Sequence, residues 1–432
     1  MEHEKTMERS AFLDNNARNY LPGGVHYNFR ESWDALNIYF QKGKGSRIWD
    51  ADGNEYLDFF CKFGANILGH CDSRYTDALT EAISYATAVN HSVLEEQVCK
   101  MVCDLVPCAD MVRFCLSGTE AVQNALRLAR AYTGRNKFIK FVGHFHGNAD
   151  NVLGGSVAGN EPYSVLDNPR TETKGRARGI LSDQLFLIQW NDFDALERLV
   201  NDFGDDIAAI LMEPICINDN GIYPQPGYLQ KVRTLCDEKG IVLIFDEVIT
   251  GFRVGLHGAQ GELGITPDLT TLGKAIAGGT VPVSAVAGKR DIMRLYENRS
   301  VVHGGTFNGY ALGLAAVKAT LSILSEDNGS IYQKMNKKMK EMHAIIENQA
   351  AVNGLNIKVQ GPATCGCIVK VNTHGYKNIL YSIALNAAFL ENGVLLSNRN
   401  MYSNIHVGDA DVEKIEKVAG KVFRRVAGDI KI

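Results

Sequence analysis

No apolar run in this chain approaches the length of a membrane span, and its opening residues, Met1 to Lys5, are too charged for a secretory signal. No C-x-x-C pair occurs among the 10 cysteines. Cys365 and Cys367 stand one residue apart, and the others lie singly in apolar surroundings such as Phe114-Cys115-Leu116. That usage fits reduced thiols, so a soluble cytoplasmic protein is expected. A basic stripe is also lacking: the formal net charge is −4, with Lys and Arg spread throughout. Nucleic acid is therefore not the expected partner, no membrane is involved, and small molecules take that place. No internal repeat or low-complexity tract interrupts the 432 residues, which suffice for a large core and two domains.

What is present begins with a polar segment and a Pro22-Gly-Gly24 turn. A small antiparallel meander is expected through Ile38–Phe40, Ser46–Trp49 and Tyr56–Phe60, with the Asp50–Gly53 turn before its last strand. Helical periodicity runs from about Tyr75 to Val106. Short apolar runs then alternate with amphipathic ones. Met111–Leu116, Lys137–Val142, Ile207–Met212 and Ile241–Phe245 read as strands, and Glu120–Ala131 and Gly227–Lys239 read as helices between them. This is the pattern of an α/β protein with a mostly parallel sheet covered by helices. From about Ile331 a charged helix opens a C-terminal α+β part that ends in a helix near Val412–Val426. The expected division is an N-terminal segment and meander over 1–60 packing with the small domain, a large domain over 61–320, and the small domain over 321–432.

Lys274, in Pro267-Asp-Leu-Thr-Thr-Leu-Gly-Lys274, and Asp246, at the end of the run Ile241–Phe245, form the most informative pair. A lysine amine holds a cofactor aldehyde as a Schiff base, and a carboxylate keeps a pyridine nitrogen protonated so that the ring accepts electrons. The pair points to pyridoxal 5'-phosphate. Singly, each residue has a plainer reading, a solvated lysine and a turn or helix cap. A P-loop is excluded, because Asp268 stands where its first glycine belongs and Ala275 where Ser or Thr belongs.

Each expected strand is followed by a chemically marked segment: Ser117-Gly-Thr-Glu120, Gly143-His-Phe-His-Gly147, Glu213-Pro214 and Asp246-Glu247. Ligands of parallel sheets bind outside the carboxyl ends of the strands, so these segments are expected to converge. Ser117, Gly118 and Thr119 open a helix whose free N–H groups favour a phosphate, although an ordinary helix cap has the same composition. His144 and His146 lack a neighbouring set of acidic or thiol ligands, so no metal is expected.

The motifs resemble the class III pyridoxal-phosphate aminotransferases, and within them the branch around glutamate-1-semialdehyde 2,1-aminomutase. The matching stretches are Pro22–Val25 with Arg30, Ile67–His70, Ser117–Glu120, Phe145–Gly147, Glu213-Pro214 with Asn218, Phe245–Arg253, Thr266–Lys274 and Gly305-Thr306. The resemblance implies the aspartate-aminotransferase type I fold and a homodimer with sites at the subunit interface. It also implies that Lys274 bonds the cofactor and shuttles a proton, Asp246 pairs with the ring nitrogen and Val248 packs under the ring. Phe145 stands where a stacking aromatic, commonly Tyr, is found. Asn218 matches the residue on the phenolic oxygen, Thr306 the one reaching the neighbouring subunit's phosphate, and Arg30 the one gripping a substrate carboxylate.

Four stretches depart from the aminomutase pattern. Lys62-Phe-Gly-Ala65 replaces Ser-Trp-Gly-Pro, and Glu161–Arg178, with Arg170, Lys174, Arg176 and Arg178, replaces the usual gating loop. Tyr310-Ala311 replaces Asn-Pro, and Asn398–Ser403 replaces a glutamate-containing stretch. An aminomutase must retain a diamino intermediate, so its lid is part of its chemistry. The reading expected from sequence is therefore an aminotransferase moving an amino group between an amino donor, carboxylated or otherwise polar, and an oxo acceptor in ping-pong fashion. The alternatives are an intramolecular 2,1-aminomutase and an inactive scaffold relative.

Overall fold

In a computed structural model the described residues are 6–27, 36–85, 90–155, 184–297, 299–371 and 376–429. The meander forms as expected: β1 (Phe40–Lys44), β2 (Arg47–Asp50) and β3 (Glu55–Asp58) pair antiparallel in sequence order. The Tyr75–Val106 region holds two helices, Ser73–Tyr85 and Glu95–Leu105, each apolar on one face.

The central sheet has seven strands: β4 (Met111–Cys115), β5 (Lys137–Phe141), β6 (Leu185–Ile188), β7 (Ile207–Met212), β8 (Val242–Glu247), β9 (Leu269–Leu272) and β10 (Ser284–Gly288). Their order is β4-β10-β9-β8-β7-β5-β6. Neighbours from β6 through β9 are parallel, whereas β10 lies antiparallel to both β9 and β4. β7 and β8 are buried along their whole length, which is why they read as continuous apolar runs. The helix expected over Glu120–Ala131 spans Gly118–Thr133, with the Ser117 side chain accepting from Glu120 N and Gly134 closing its far end in the left-handed conformation.

The C-terminal part contains the long helix Ser330–Val352 and an antiparallel sheet of β11 (Ile357–Gln360), β12 (Cys365–Lys370) and a later strand. After the helix Tyr376–Glu391 come β13 (Val394–Leu395), which pairs parallel with β3, and β14 (Asn400–Tyr402), which completes the sheet beside β12. The helix Asp409–Asp429 closes the chain. Leu57 and Phe59 of the meander share one hydrophobic core with Met339, Met342, Phe389 and Phe423, so the two ends of the chain are packed together. No described helix is long and apolar enough to cross a membrane.

Phe423 is fully buried and meets Phe389 edge-on at 6.1 Å between ring centroids. Phe423→Ala is expected to destabilise the chain by about 3–5 kcal/mol, the range for emptying a buried aromatic site. Urea denaturation of the full chain measures it, and a loss under about 1 kcal/mol would show that this core collapses around the gap.

Candidate active site

The carboxyl ends of the parallel strands bring the expected segments together. Asp246, on β8, is buried, and its carboxylate accepts three hydrogen bonds. Val248 N and Thr271 Oγ1 each donate to Oδ1 at 3.0 Å, and His146 Nδ1 lies 2.8 Å from Oδ2. Register explains the threonine, because β9 places Thr271 directly opposite Asp246. A carboxylate only accepts, so His146 Nδ1 carries the proton. Burial holds the ring's pKa below its ordinary value, and the imidazole is neutral with Nε2 buried and unpartnered among the described residues.

Glu213, just after β7, is the second buried carboxylate. Phe145 N and Asn218 Nδ2 donate to Oε1 at 2.8 and 2.7 Å, and Ile217 N and Asn218 N donate to Oε2 at 3.0 and 3.3 Å. Burial nevertheless pushes its pKa up to about 7. Glu213 N donates to His144 Nδ1 at 2.9 Å, so the two buried histidines of Gly143–Gly147 hold opposite tautomers, Nδ1 bare in His144 and protonated in His146.

Lys274 follows β9 with its φ at +47°, a left-handed conformation for a side-chain-bearing residue. It is half-buried and makes no hydrogen bond among the described residues. Burial is the largest influence on its amine, Glu213 and Asp246 favour the charged form, and Arg253 opposes it; the outcome is a pKa lowered to about 8. Val248 stands between two glycines. A Cβ on Gly118 would lie 3.0 Å from Val248 Cγ2, and one on Gly273 would lie 3.2 Å from its Cγ1. Gly147, with φ at +99°, presses against Thr119, whose Oγ1 would meet an added Cβ at 2.4 Å. The start of the helix Gly118–Thr133, Val248, Phe145, Asn218, Asp246 and Lys274 are thereby linked through direct contacts or shared partners.

The comparisons with known proteins agree on one family. The model of the class-III aminotransferases matches residues 29–407. The chain belongs to the class-III aminotransferases. Among its relatives, a glutamate-1-semialdehyde 2,1-aminomutase 2 of Halalkalibacterium halodurans is 39% identical over 78% of this chain and 78% of its own. Another, of Brevibacillus brevis, is 36% identical over 97% of this chain and 99% of its own. Among solved structures, a transaminase with PLP bound superposes with a TM-score of 0.90 at 26% identity, covering 99% of this chain and 100% of that one. The mixed seven-stranded sheet and its helical cover are the aspartate-aminotransferase type I fold.

Some residues of this class-III aminotransferase stand apart from the cluster. Thr306 lies exposed in the loop between Val301 and Tyr310 and makes no hydrogen bond among the described residues. Arg30 and the stretch Glu161–Arg178 lie outside the described residues. Cys115, Glu120 and His303 bring one ligand atom each within 4.8 Å of one another, with Cys115 Sγ 3.5 Å from His303 Nε2. That separation suits a thiol–imidazole hydrogen bond, and burial pushes the Cys115 thiol up to about 12.

Lys62-Phe-Gly-Ala65, where the chain departs from the aminomutase pattern, has an uncommon backbone. Cys61, Lys62 and Phe63 have φ of 42°, 54° and 56° and lead into Gly64 at 80°. Each side-chain-bearing residue there costs about 1–2 kcal/mol, so the surroundings must hold the turn in place. Phe63 meets Phe60 at 4.5 Å and Tyr27 at 5.4 Å between ring centroids.

Sequence reasoning singled out Asp246 but missed its supports, His146 and Thr271. Leu269-Thr-Thr-Leu272 does not alternate, so its sequence carries no signal that sets Thr271 opposite Asp246. Thr271→Val keeps the shape and removes one donor to a buried carboxylate. A loss of about 1.5–3 kcal/mol is expected, the scale of a hydrogen bond to a charged group. Thermal and urea unfolding measure it, and unchanged stability would remove Thr271 from the support of Asp246.

Proposed function

We propose that this chain moves an amino group with Lys274 as the residue bonded to the cofactor and Asp246 as the partner of the ring nitrogen. The cofactor is pyridoxal 5'-phosphate. The observation that carries the reading is a lysine amine without a hydrogen-bond partner among the described residues, lowered to about 8, beside a buried carboxylate fixed by three donors. The cofactor, when bound, supplies an electron sink for the substrate carbon that bears the amino group.

The chain's own groups supply the rest. Ser117, Gly118 and Thr119 offer N–H groups and hydroxyls at a helix start, where a phosphate is favoured. Gly118 and Gly273 let the Val248 side chain pack close against their backbone, which would hold it beneath a flat ring. Phe145 would stack on that ring, and Asn218, one amide N–H committed to Glu213, has a second to give to a phenolic oxygen. Asp246, held by Thr271 and His146, keeps a proton on the ring nitrogen. Lys274, its amine lowered to about 8 and so able to give up its proton more readily than an ordinary lysine, would carry the proton between the reacting carbons. Arg30 takes the substrate carboxylate, and Thr306 reaches the phosphate of a second copy in a homodimer; both assignments rest on the resemblance of their motifs.

The names of the relatives favour the intramolecular 2,1-amino shift, with glutamate-1-semialdehyde as substrate, over the two-substrate transfer expected from sequence, and we adopt that reading. The ping-pong transfer is the second reading. Its support is the left-handed Cys61–Gly64 turn with its Phe60–Phe63–Tyr27 cluster at one of the departures from the aminomutase pattern.

Two outcomes check the site and the reaction. Borohydride treatment of the loaded enzyme, followed by peptide mapping, should label Lys274 and find no label in Lys274→Ala. With cofactor added to the cofactor-free chain, the rate of labelling should rise as pH passes about 8, because only the neutral amine attacks. A different labelled lysine sinks the assignment. For the reaction, glutamate-1-semialdehyde alone should be converted to 5-aminolevulinate. If the enzyme instead releases one equivalent of oxo product from an amino donor and then waits for an oxo acceptor, the ping-pong reading replaces ours.

A further inference from the structure

Arg253 is the largest fully buried side chain among the described residues, and it forms no ion pair there. Its guanidinium goes to backbone carbonyls of three separate segments. Nε donates to Gly64 O at 2.8 Å, Nη1 donates to Ser403 O at 2.7 Å and to Thr364 O at 3.4 Å, and Nη2 is buried without a hydrogen-bond partner among the described residues. A buried cation is normally matched by a carboxylate, so a fully buried arginine whose partners among the described residues are carbonyls and the face of the Tyr402 ring, 5.7 Å from its centroid, needs a reason.

The reason lies in what the carbonyls belong to. Gly64 O closes the left-handed turn of Cys61, Lys62 and Phe63. On its other side that turn leans on the segment that follows Lys274. Lys62 Nζ donates to Gly279 O at 3.0 Å, and a Cβ on Gly279 would lie 2.7 Å from the carbonyl carbon of Ala65 and 2.8 Å from Asn66 N. Between Lys274 and Gly279 there is only one short helical turn, Lys274–Ala277, and Gly278. From Arg253 to Lys274 the path therefore runs through a guanidinium–carbonyl bond, the Lys62–Gly279 bond and backbone packed on backbone, and it joins two stretches of left-handed geometry.

We propose that Arg253 is a positioning residue for Lys274: a buried, unmatched cation that clamps the Cys61–Gly64 turn against the Lys274–Gly279 segment, fixes where the amine points and sets a positive field at it. The proposal rests on the reading of Lys274 as the cofactor lysine. The groups facing that amine are Glu213 and Asp246, which favour its charged form, and Arg253 and the Cys365 thiol. Against two carboxylates, burial and one cation lower the amine below the ordinary lysine range. Besides Lys274, the thiols of Cys61 and Cys365 and the phenols of Tyr332 and Tyr402 also feel Arg253.

The test follows the rate of borohydride-trapped bonding of pyridoxal 5'-phosphate to the cofactor-free full chain across pH. Arg253→Met removes the field, and the midpoint of the rate profile should move up from about 8 by about one pH unit, as expected for a charge acting through a partly polar interior. Arg253→Lys keeps the charge but not the three-way fork; its midpoint should stay while the limiting rate falls several-fold. A wild-type midpoint in folded Arg253→Met overturns the field. Should both arginine variants fail to fold, Lys62→Met decides. It removes an exposed contact on the far side of the turn and should slow trapping several-fold at an unchanged midpoint, and a wild-type rate overturns the clamp. Trapping at a lysine other than Lys274 would instead sink the underlying reading of the site.

Discussion

Two carboxylates buried at the ends of adjacent strands, Asp246 and Glu213, constrain everything around them. A charge removed from water must find donors or give up its charge, and the two residues meet that demand differently. Asp246 draws on a strand neighbour, a backbone amide and a histidine, each donor on a charged acceptor contributing about 1.5–3 kcal/mol. Glu213 gathers backbone amides from its own turn and from Phe145, yet burial still pushes it up to about 7. The loop Gly143–Gly147 is shaped by this need, since it sends His144 to the Glu213 backbone and His146 to Asp246. Its opposite tautomers follow from one partner being a donor and the other an acceptor.

Sheet topology supplies the second constraint. Parallel strands deliver their carboxyl ends to one edge, which is why Ser117, Phe145, Glu213, Asp246 and Lys274 meet despite being spread over more than a third of the chain. The antiparallel β10 sits between β4 and β9, bringing Ser284 beside the end of β4, where its hydroxyl donates to Ser117 O at 2.7 Å. The helix start and the lysine strand are thus bridged by a strand running against both.

What could be read beforehand followed burial. β7 and β8 are buried on both faces and stand out as apolar runs, and the helix beginning at Gly118 carries its cap and a clear apolar stripe. The sequence reading misses β9 and β10 because Leu-Thr-Thr-Leu and Ser-Ala-Val-Ala-Gly are small or polar, and it also misses β6, Leu-Phe-Leu-Ile, which is apolar and mostly buried but only four residues long. The direction of β10 has no signature in its residues. At the site, residue types named Lys274 and Asp246, whereas Thr271 depends on register and Arg253 on which carbonyls the fold turns toward it. The Cys61–Gly64 turn was visible only as a departure from a pattern, since nothing in Cys-Lys-Phe announces left-handed backbone.

That turn bears on how the chain can be altered. Cys61 is buried and Phe63 packs on two rings, so losing either side chain offsets the strain it relieves, but Lys62 is exposed and glycine would relax it, and so a selection for heat resistance rewards substitution there. The same substitution removes the contact with Gly279. Stability and chemistry therefore pull in opposite directions at one residue, and laboratory evolution toward robustness has its nearest trap there.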